Sequence, residues 1–351
     1  MSSKTTHICV VGSLNIDFAV STSRCPGPGE TLTAKSLSIT AGGKGANQAV
    51  ACGRASLTSS DASKVTVSMI GAVGADDVYY ATLIRPTLED AGVDTKYIQE
   101  QTDSRTGSAT IIVEDSAHGE NRILVVPGAN HTGMDDVQKI LATIESYSRS
   151  PAMVVLQGEI PRHTTLGLMK HFNQPGNPTH VLFNPAPVFA DGVPAEALAN
   201  TSVLVMNETE AVQMQASIAP DSAIGAQKSD ELKPEDLARR FHDLANVKIV
   251  LITLGAKGVF FSTCTGRKGL VDGIRVPNVV DTTAAGDTFV GYFAVAFSKF
   301  IATSAPFEEF DNAIEYAVRR ANSAAALCVQ RPGAMQSIPT ALDVDSLTVT
   351  R

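Results

Sequence analysis

The sequence contains no tryptophan, and aromatic residues make up only 5% of its 351 positions. Its formal net charge at pH 7 is −8. Proteins that bind nucleic acids need clustered lysine and arginine for the phosphates, and many stack aromatic side chains on exposed bases. The composition therefore argues against a nucleic-acid partner and against an acidic membrane surface. A local basic site for a small phosphorylated ligand is still compatible with it.

Paired cysteines and long apolar runs are also missing. The five cysteines are scattered without a CxxC pair, which is untypical of a zinc site or a disulfide framework. No apolar run reaches the roughly 18 residues of a membrane span. The amino-terminal "HICVVG" indicates a buried strand and not the core of a signal peptide. We expect reduced thiols, no membrane partner and a cytoplasmic location, with the nucleus as a second compartment.

The residues that are present favour a large α/β core. Short runs rich in β-branched residues, such as "VTVSMIG", "AMVVLQ", "HVLFN", "SVLVMN" and "VKIVLITLG", do not alternate cleanly, which is typical of strands buried on both faces of a parallel sheet. Helical patterns lie between them, and Pro86 indicates a kink or a late start in the second. These helices are predicted at 45–55, 76–91, 134–146, 163–172, 208–216 and 234–245. Alternation of this kind predicts helices on both faces of the sheet.

Two regions, 15–40 and 104–127, interrupt this alternation with strands and turns but no helix. Within the second, 106–126 resembles a β-hairpin. The two regions could form a small separate sheet that covers a ligand, or they could be edge strands of the main sheet. Two polar stretches, 56–64 and 217–233, are predicted to be surface insertions.

The stretch "AGGKGANQAVACG", 41–53, combines a Gly-Gly turn with the start of an alanine-rich helix. Gly42 and Gly43 allow the backbone to turn sharply and to approach a ligand. Lys44 and Asn47 place polar groups on the first turn. The spacing matches neither a P-loop nor a dinucleotide fingerprint. The pattern alone is equally compatible with a ligand site and with a helix start whose glycines serve packing.

The stretch "DTTAAGDTFVG", 281–291, precedes a strongly apolar helix. Small residues before Asp287 would expose backbone N–H groups at the positive end of that helix, a combination that binds anions such as phosphate. Asp287 could be a helix cap. Alternatively it could take a proton from an attacking hydroxyl while the N–H groups hold a transferring phosphoryl group.

Two more motifs follow strands. In "NETEA", Asn207 and Glu210 fit a capping box, or an amide and a carboxylate that hold Mg²⁺ directly or through water. "ITLGAKG", 252–258, is a strand that ends in a glycine turn, a common place for a ligand at the carboxyl edge of a parallel sheet.

With these motifs, the chain resembles the PfkB-type sugar kinases, and among them the ribokinases. The resemblance extends from "GSLNIDF", 12–18, to "GAMQSIP", 333–339, and includes "PGPGETL", 26–32, and both glycine-rich signatures. It implies a three-layer α/β/α fold with a central, mostly parallel sheet and a small β-sheet lid. Residues 1–351 would form a single domain, with the lid at about 15–40 and 104–127.

The resemblance also implies ATP-dependent, Mg²⁺-dependent phosphorylation of ribose at O5. Asp287 would be the base, and the N–H groups of Ala284, Ala285, Gly286 and Asp287 would form the anion hole. The sugar pocket would consist of Asn15, Asp17, Gly43, Lys44, Asn47, Ala109, Glu159 and Asp287. The nucleotide side would consist of Asn207, Glu210, Thr253, Gly255, Gly286 and Asn322, with Glu210 holding Mg²⁺ through water.

Activation by K⁺ and a homodimer through the lid are further implications. The K⁺ site would use Asp281, Thr283, Cys328, Arg331, Gly333 and Ser337, in part through backbone oxygens. Pro332 departs from the family pattern in this loop, where basic or small residues are usual. The alternatives are a kinase for another sugar or a nucleoside, and a non-catalytic sugar or nucleotide sensor that retains the fold.

Overall fold

The structure is a computed structural model that describes residues 5–57, 64–114, 120–219 and 233–349. Its strands are β1 Thr6–Val11, β2 Asn15–Thr22, β3 Ser36–Gly42, β4 Val65–Gly74, β5 Val93–Gln101, β6 Gly107–Glu114, β7 Glu120–Val126, β8 Met153–Leu156, β9 His180–Phe183, β10 Val203–Asn207, β11 Ile249–Thr253, β12 Gly258–Thr263 and β13 Lys268–Asp272.

The helices alternate with these strands along the chain. They are α1 Lys44–Ser56, α2 Arg85–Asp90, α3 Ala129–Thr132, α4 Val137–Glu145, α5 Arg162–Phe172, α6 Ala195–Leu198, α7 Glu208–Ile218, α8 Pro234–Ala245, α9 Ala285–Ala302, α10 Ile314–Cys328 and α11 Ala341–Val349. A π-helical turn, Tyr80–Ile84, precedes α2. This turn ends two residues before Pro86, where the sequence predicted a kink or a late start, and a proline cannot supply the N–H of a regular helical turn.

The main sheet has the strand order β13-β12-β11-β10-β9-β8-β1-β4-β5. Its pairs are parallel from β5 to β11, and β12 and β13 are antiparallel additions at one edge. The strands and helices predicted from the sequence are confirmed, with small differences at their ends. The chain order reverses on the two sides of β1, and the crevice at such a point is where α/β proteins usually bind ligands.

Helices cover both faces of the main sheet. On one face α1, α9 and α10 pack together over a core that includes Phe289, Phe293 and Phe297. On the other face α4, α5, α7 and α8 cover a second core that includes Phe183 and Phe241. The described residues contain no helix that is both long enough and apolar enough to cross a bilayer.

The two regions without helices form a separate sheet with the order β3-β2-β6-β7, which we call the small sheet. The predicted hairpin is the antiparallel pair β6–β7. The interpretation as edge strands of the main sheet is therefore wrong. Residues 58–63 and 220–232, the greater part of the two predicted insertions, lie outside the described residues.

Candidate active site

A cleft of about 1160 Å³ lies between the small sheet and the carboxyl ends of the main-sheet strands. Five polar residues in its wall stand at or just beyond the ends of β1, β8, β9, β10 and β11. They are Asn15, Glu159, Asn184, Asn207 and Thr253. Parallel strands bring their carboxyl ends to one edge, so segments far apart in the sequence meet in this cleft.

Most of the residues that the sequence placed in a site do line this cleft. They are Asn15, Asp17, Gly43, Lys44, Asn47, Ala109, Glu159, Asn207, Glu210, Thr253, Asp281, Thr283, Ala284, Gly286, Asp287 and Gly333. The structure places Ala285, Gly255, Asn322, Cys328, Arg331 and Ser337 outside the cleft wall. Asn322 donates a hydrogen bond to the carbonyl oxygen of Asp272 at 2.9 Å, and Gly255 lies in a turn before β12.

The Gly-Gly turn sets the start of α1. Gly43 has φ +91°, and a Cβ there would lie 2.7 Å from the backbone nitrogen of Asn15, so the position requires glycine. The turn exposes the N–H of Lys44, which donates to Oε2 of Glu159 at 2.9 Å. Ser13 donates to the same oxygen at 2.5 Å. These two bonds fix one carboxylate oxygen of Glu159 at the floor of the cleft.

Asn15 is positioned by Asn130, a residue that sequence reasoning missed. The Asn130 amide donates to Oδ1 of Asn15 at 2.7 Å and to the carbonyl oxygen of Leu14 at 3.1 Å, and it accepts from the N–H of Leu14. Asn130 is 1% exposed and lies in the short helix α3 after the small sheet. Its sequence surroundings contain only an N-x-T match, Asn130 to Thr132, which does not indicate a contact with the cleft.

Asp287, in the first turn of α9, is 6% exposed and accepts two side-chain hydrogen bonds from α1. Asn47 donates to Oδ2 and Gln48 donates to Oδ1, both at 2.9 Å. The helices approach closely because Gly291 faces α1, where a Cβ would lie 2.4 Å from the Cβ of Ala51. Sequence reasoning missed Gln48, although its i, i+4 spacing from Lys44 places both on one helix face.

Lys44 is surrounded by four carboxylates. Asp287 contributes most to the raised pKa of Lys44, and Glu159, Glu210 and Asp17 add to it against the effect of burial. Burial, with the charges of Glu159 and Asp287, raises the pKa of Asp17 to about 7, while Lys44 opposes this shift. The cleft therefore holds excess negative charge around one ammonium group, and Asp17 changes its charge near neutral pH.

The amino end of α9 exposes backbone donors. Ala284, just before the helix, has φ +59°, a conformation that is unusual for alanine. Ala285 donates its N–H to the carbonyl oxygen of Thr282 at 3.3 Å. Within the described chain, the N–H groups of Gly286 and Asp287 have no hydrogen-bond acceptor. Among the described residues, a Cβ on Gly286 would have no atom of another segment within 4 Å. An anion in the cleft can approach these two donors without meeting a side chain.

Asn207 and Glu210 form the predicted capping box of α7. Glu210 donates its N–H to Oδ1 of Asn207, and Asn207 donates its N–H to Oε2 of Glu210. Both residues also line the cleft. Burial raises the pKa of Glu210, and Oε1 takes no part in the capping box. The described residues contain no group of three or more His, Cys, Asp or Glu side chains arranged to hold a metal ion.

The loop before α9 is tied to the segment after α10. Asp281 accepts from the N–H of Thr283 and from the N–H of Gly333, both at 2.9 Å. Cys328 Sγ lies 3.6 Å from the carbonyl oxygen of Thr283 and 3.1 Å from Oγ of Ser337. Arg331 extends away from this group to Asp343. Thus five of the six residues implied for a K⁺ site lie together, and Arg331 can add only backbone atoms.

Comparisons with known proteins agree with this geometry. A family model described as pfkB family carbohydrate kinase matches residues 5–341. The ribokinase of Schizosaccharomyces pombe is 35% identical to this chain, over 97% of the chain and 96% of that protein. The crystal structure of the Thermotoga maritima ribokinase superimposes with a TM-score of 0.77 at 34% identity, covering 98% of this chain and 99% of that one.

A third relative was solved with ligands. The structure of Arabidopsis thaliana ribokinase complexed with ribose and ATP has a TM-score of 0.75 to this chain at 31% identity, and 98% of each chain is covered. The fold, the cleft at the switch point of the sheet and the family match over nearly the whole length lead to one assignment. The chain belongs to the pfkB family of carbohydrate kinases.

Proposed function

We propose that the protein transfers the γ-phosphoryl group of ATP to O5 of ribose. The observation that carries this proposal is the position of Asp287. Its carboxylate lies in the cleft wall beside the unpaired N–H groups at the start of α9. The names of the relatives support the substrates, since they are ribokinases and one was solved with ribose and ATP.

The chemistry follows from the charges in the cleft. Asp287 would accept the proton of the attacking hydroxyl, through the oxygen Oδ2 whose partner Asn47 also lines the cleft. The N–H groups of Gly286 and Asp287 and the ammonium group of Lys44 would stabilise negative charge on the phosphoryl group. Positioning and electrostatic stabilisation carry most of the catalysis in this type of transfer.

Sugar hydroxyl groups need acceptors as well as donors. Asp17 and Glu159 offer carboxylate oxygens, and Oδ1 of Asn47 is a buried acceptor that has no donor within the described residues. A buried unpaired acceptor is costly unless a ligand supplies the missing hydrogen. A site built this way discriminates against analogues that lack the matching hydroxyl, because they leave these groups unpaired.

The nucleotide would lie on the side of Asn207, Glu210 and Thr253, where Val279 and Val280 add exposed apolar surface. Glu210 suits Mg²⁺ bound through water, because one of its oxygens is free of the capping box. Bound Mg²⁺ would neutralise charge on the phosphates.

The loop that contains Asp281 and Thr283 fits a K⁺ site. Its donor set is a carboxylate and backbone oxygens, which hard monovalent and divalent cations prefer. A bound K⁺ would order the loop that leads into the anion-binding N–H groups.

We also infer that the small sheet is a lid and the contact surface of a homodimer, within a single domain. The edge strand β7 has apolar side chains on both faces: Ile123 and Val125 line the cleft, while Leu124 and Val126 alternate with them. All four are more than half exposed, at 53% to 67%. An apolar edge strand of this kind is normally covered by a partner. Leu124→Lys should produce a monomer in sedimentation, and a wild type that is monomeric at all concentrations would contradict the inference.

The decisive experiment for the function measures ATP turnover over a panel of ribose, deoxyribose, fructose and adenosine, with K⁺ or with tetramethylammonium. We expect the highest kcat/KM on ribose and a higher rate with K⁺. Faster turnover of adenosine or fructose would assign a different substrate within the family. Binding without any turnover would indicate a sensor.

A further inference from the structure

Gln48 is a second partner of the base, and it differs from Asn47 in one respect. It is completely buried and does not line the cleft. Its amide nitrogen donates to Oδ1 of Asp287 at 2.9 Å. Asn47, which lines the cleft, bonds the other oxygen and is exposed to changes when a ligand enters. Gln48 is therefore the partner of Asp287 that a ligand does not reach.

A chain of buried amides fixes the direction of the Gln48 side chain. Gln157 donates to Oε1 of Gln48 at 2.8 Å and to the carbonyl oxygen of Val155 at 3.3 Å. Gln48 donates to Oδ1 of Asn184 at 3.0 Å, and Asn184 donates to the carbonyl oxygen of Val205 at 2.9 Å. The oxygen and the NH₂ group of an amide side chain are told apart by whether each neighbour can donate or accept a hydrogen bond.

The two backbone carbonyls determine this orientation. A carbonyl oxygen can only accept, so Gln157 and Asn184 must each turn their NH₂ group towards β8 and β10. Gln157 then presents a donor to Gln48, and Asn184 presents an acceptor. Gln48 satisfies both only when its oxygen faces Gln157 and its NH₂ group faces Asn184 and Asp287. The sheet thereby aims a hydrogen-bond donor at Asp287.

We propose that Gln48 is the positioning residue of Asp287. By holding Oδ1 in a fixed direction, it keeps Oδ2 turned towards the acceptor hydroxyl. The inference depends on the proposed role of Asp287 as the base. An NH₂ group can only donate, so it also suits the carboxylate form that a base must have before the reaction. A leucine at residue 48 would not offer this donor.

The test uses Gln48→Met, which keeps the length of the side chain but removes the donor. We expect kcat to fall about 10–100-fold, the range expected for a hydrogen bond to a charged group. The Kd of the sugar, measured by calorimetry, should change less than about threefold, since Gln48 does not touch the cleft. Gln157→Met is the matched control, because it removes a bond from the same amide but none from Asp287. It should lower kcat by less than about threefold.

The decisive comparison places Gln48→Met in the Asp287→Asn background. If Gln48 acts through Asp287, the substitution has no further effect on kcat there. An undiminished effect in that background, or equal losses in Gln48→Met and Gln157→Met, would overturn the proposal. Thermal unfolding of each variant shows which of them fold, and Gln48→Leu provides a second variant without the donor if Gln48→Met does not fold. Full activity of Asp287→Asn would instead contradict the proposed role of Asp287 as the base. The substrate assignment would still be decided by turnover over the sugar panel.

Discussion

Gly42 lies against the carboxylate of Asp17: a Cβ at residue 42 would be 2.1 Å from Oδ2 of Asp17. The two residues stand on the neighbouring strands β2 and β3 of the small sheet. Gly42 has no positive φ, so its missing side chain provides space and not backbone freedom. The glycine thus determines where the Asp17 carboxylate can lie in the cleft.

Gly42→Ala should displace this carboxylate and weaken sugar binding. Because a hydrogen bond to a charged group is lost, we expect KM for the sugar to rise about 10–100-fold with a smaller change in kcat. Steady-state kinetics checks this. Gly27→Ala is the control, since a Cβ there lies 3.7 Å from its nearest neighbour, Oε2 of Glu30. Equal effects in the two variants would refute the steric argument.

Gly286→Ala should fold normally but lose turnover. A Cβ at this residue meets no atom of another described segment within 4 Å, so the described part of the protein has room for the methyl group. A phosphoryl group bound at the adjacent N–H donors would collide with this methyl group. We expect kcat/KM to fall at least about 10²-fold, as when an oxyanion-hole donor is lost, with an unchanged melting temperature. Normal kinetics in this variant would remove residue 286 from the anion site.

Asp287→Asn should retain sugar and ATP binding but lose about 10²–10⁴ in kcat, the usual contribution of a general base. Both oxygens of Asp287 accept from amide NH₂ groups. The NH₂ group of asparagine would therefore face one of these donors, and we also expect stability to fall by about 1 kcal/mol. Turnover and unfolding are measured separately. Wild-type turnover would contradict the role of Asp287 as the base.

The contribution of Asp17 to stability should fall as the pH rises from about 4 to about 7. Burial and two neighbouring carboxylates raise the pKa of Asp17 to about 7, against 3.8 for an ordinary aspartate. In this interval Asp17 of the unfolded chain has released its proton and Asp17 of the folded protein retains it, so the contribution of this residue to the unfolding free energy declines with pH. Asp17→Asn should remove this decline. At pH 8 the variant should exceed the wild type by on the order of 1–3 kcal/mol. Parallel pH profiles of the two proteins would exclude the effect.

Asp281→Ala should weaken the response to K⁺. The substitution removes the acceptor for the N–H groups of Thr283 and Gly333 and with it the tie between the two loop segments. We expect the K⁺ concentration for half-maximal rate to rise at least about tenfold, because a charged ligand oxygen is lost. Asp343→Ala, which removes the ion pair of Arg331, is the control. An equal rate with K⁺ and tetramethylammonium in the wild type would refute the cation site itself.

The architecture was largely readable from the sequence because it follows local signals. The apolar run "SVLVMN" predicted the strand β10. Pro234 predicted the start of α8 at the residue where the helix begins in the structure. The small sheet was ambiguous, because alternating strands look the same at the edge of one sheet and in another. Only the pairing of β2 with β6 decides it, and that pairing joins residues about 90 positions apart, such as Asn15 and Gly107.

The candidate site was only partly readable. Residues inside glycine motifs, such as Lys44 and Asp287, stand out because the motif is local. Asn184 could have been found by the same rule that marked Asn207, since both end a buried parallel strand. Asn130 could not, because it acts by contact with Asn15 over 115 positions. The pKa of Asp17 was equally inaccessible, since it depends on carboxylates contributed by distant segments.

The crossings between the two sheets have a consequence for how this fold can change. The chain segments that connect the sheets pack against one another at Asn15. A Cβ on Gly107 would lie 2.4 Å from Oδ1 of Asn15 and 2.1 Å from Nδ2 of Asn130, and a Cβ on Gly43 would lie 2.7 Å from the backbone nitrogen of Asn15. The same contacts position Asn15, one of the polar residues of the cleft wall. The small sheet is therefore not an interchangeable module. Recombination that exchanged it between relatives would have to exchange the crossings as well, and with them the recognition of the sugar.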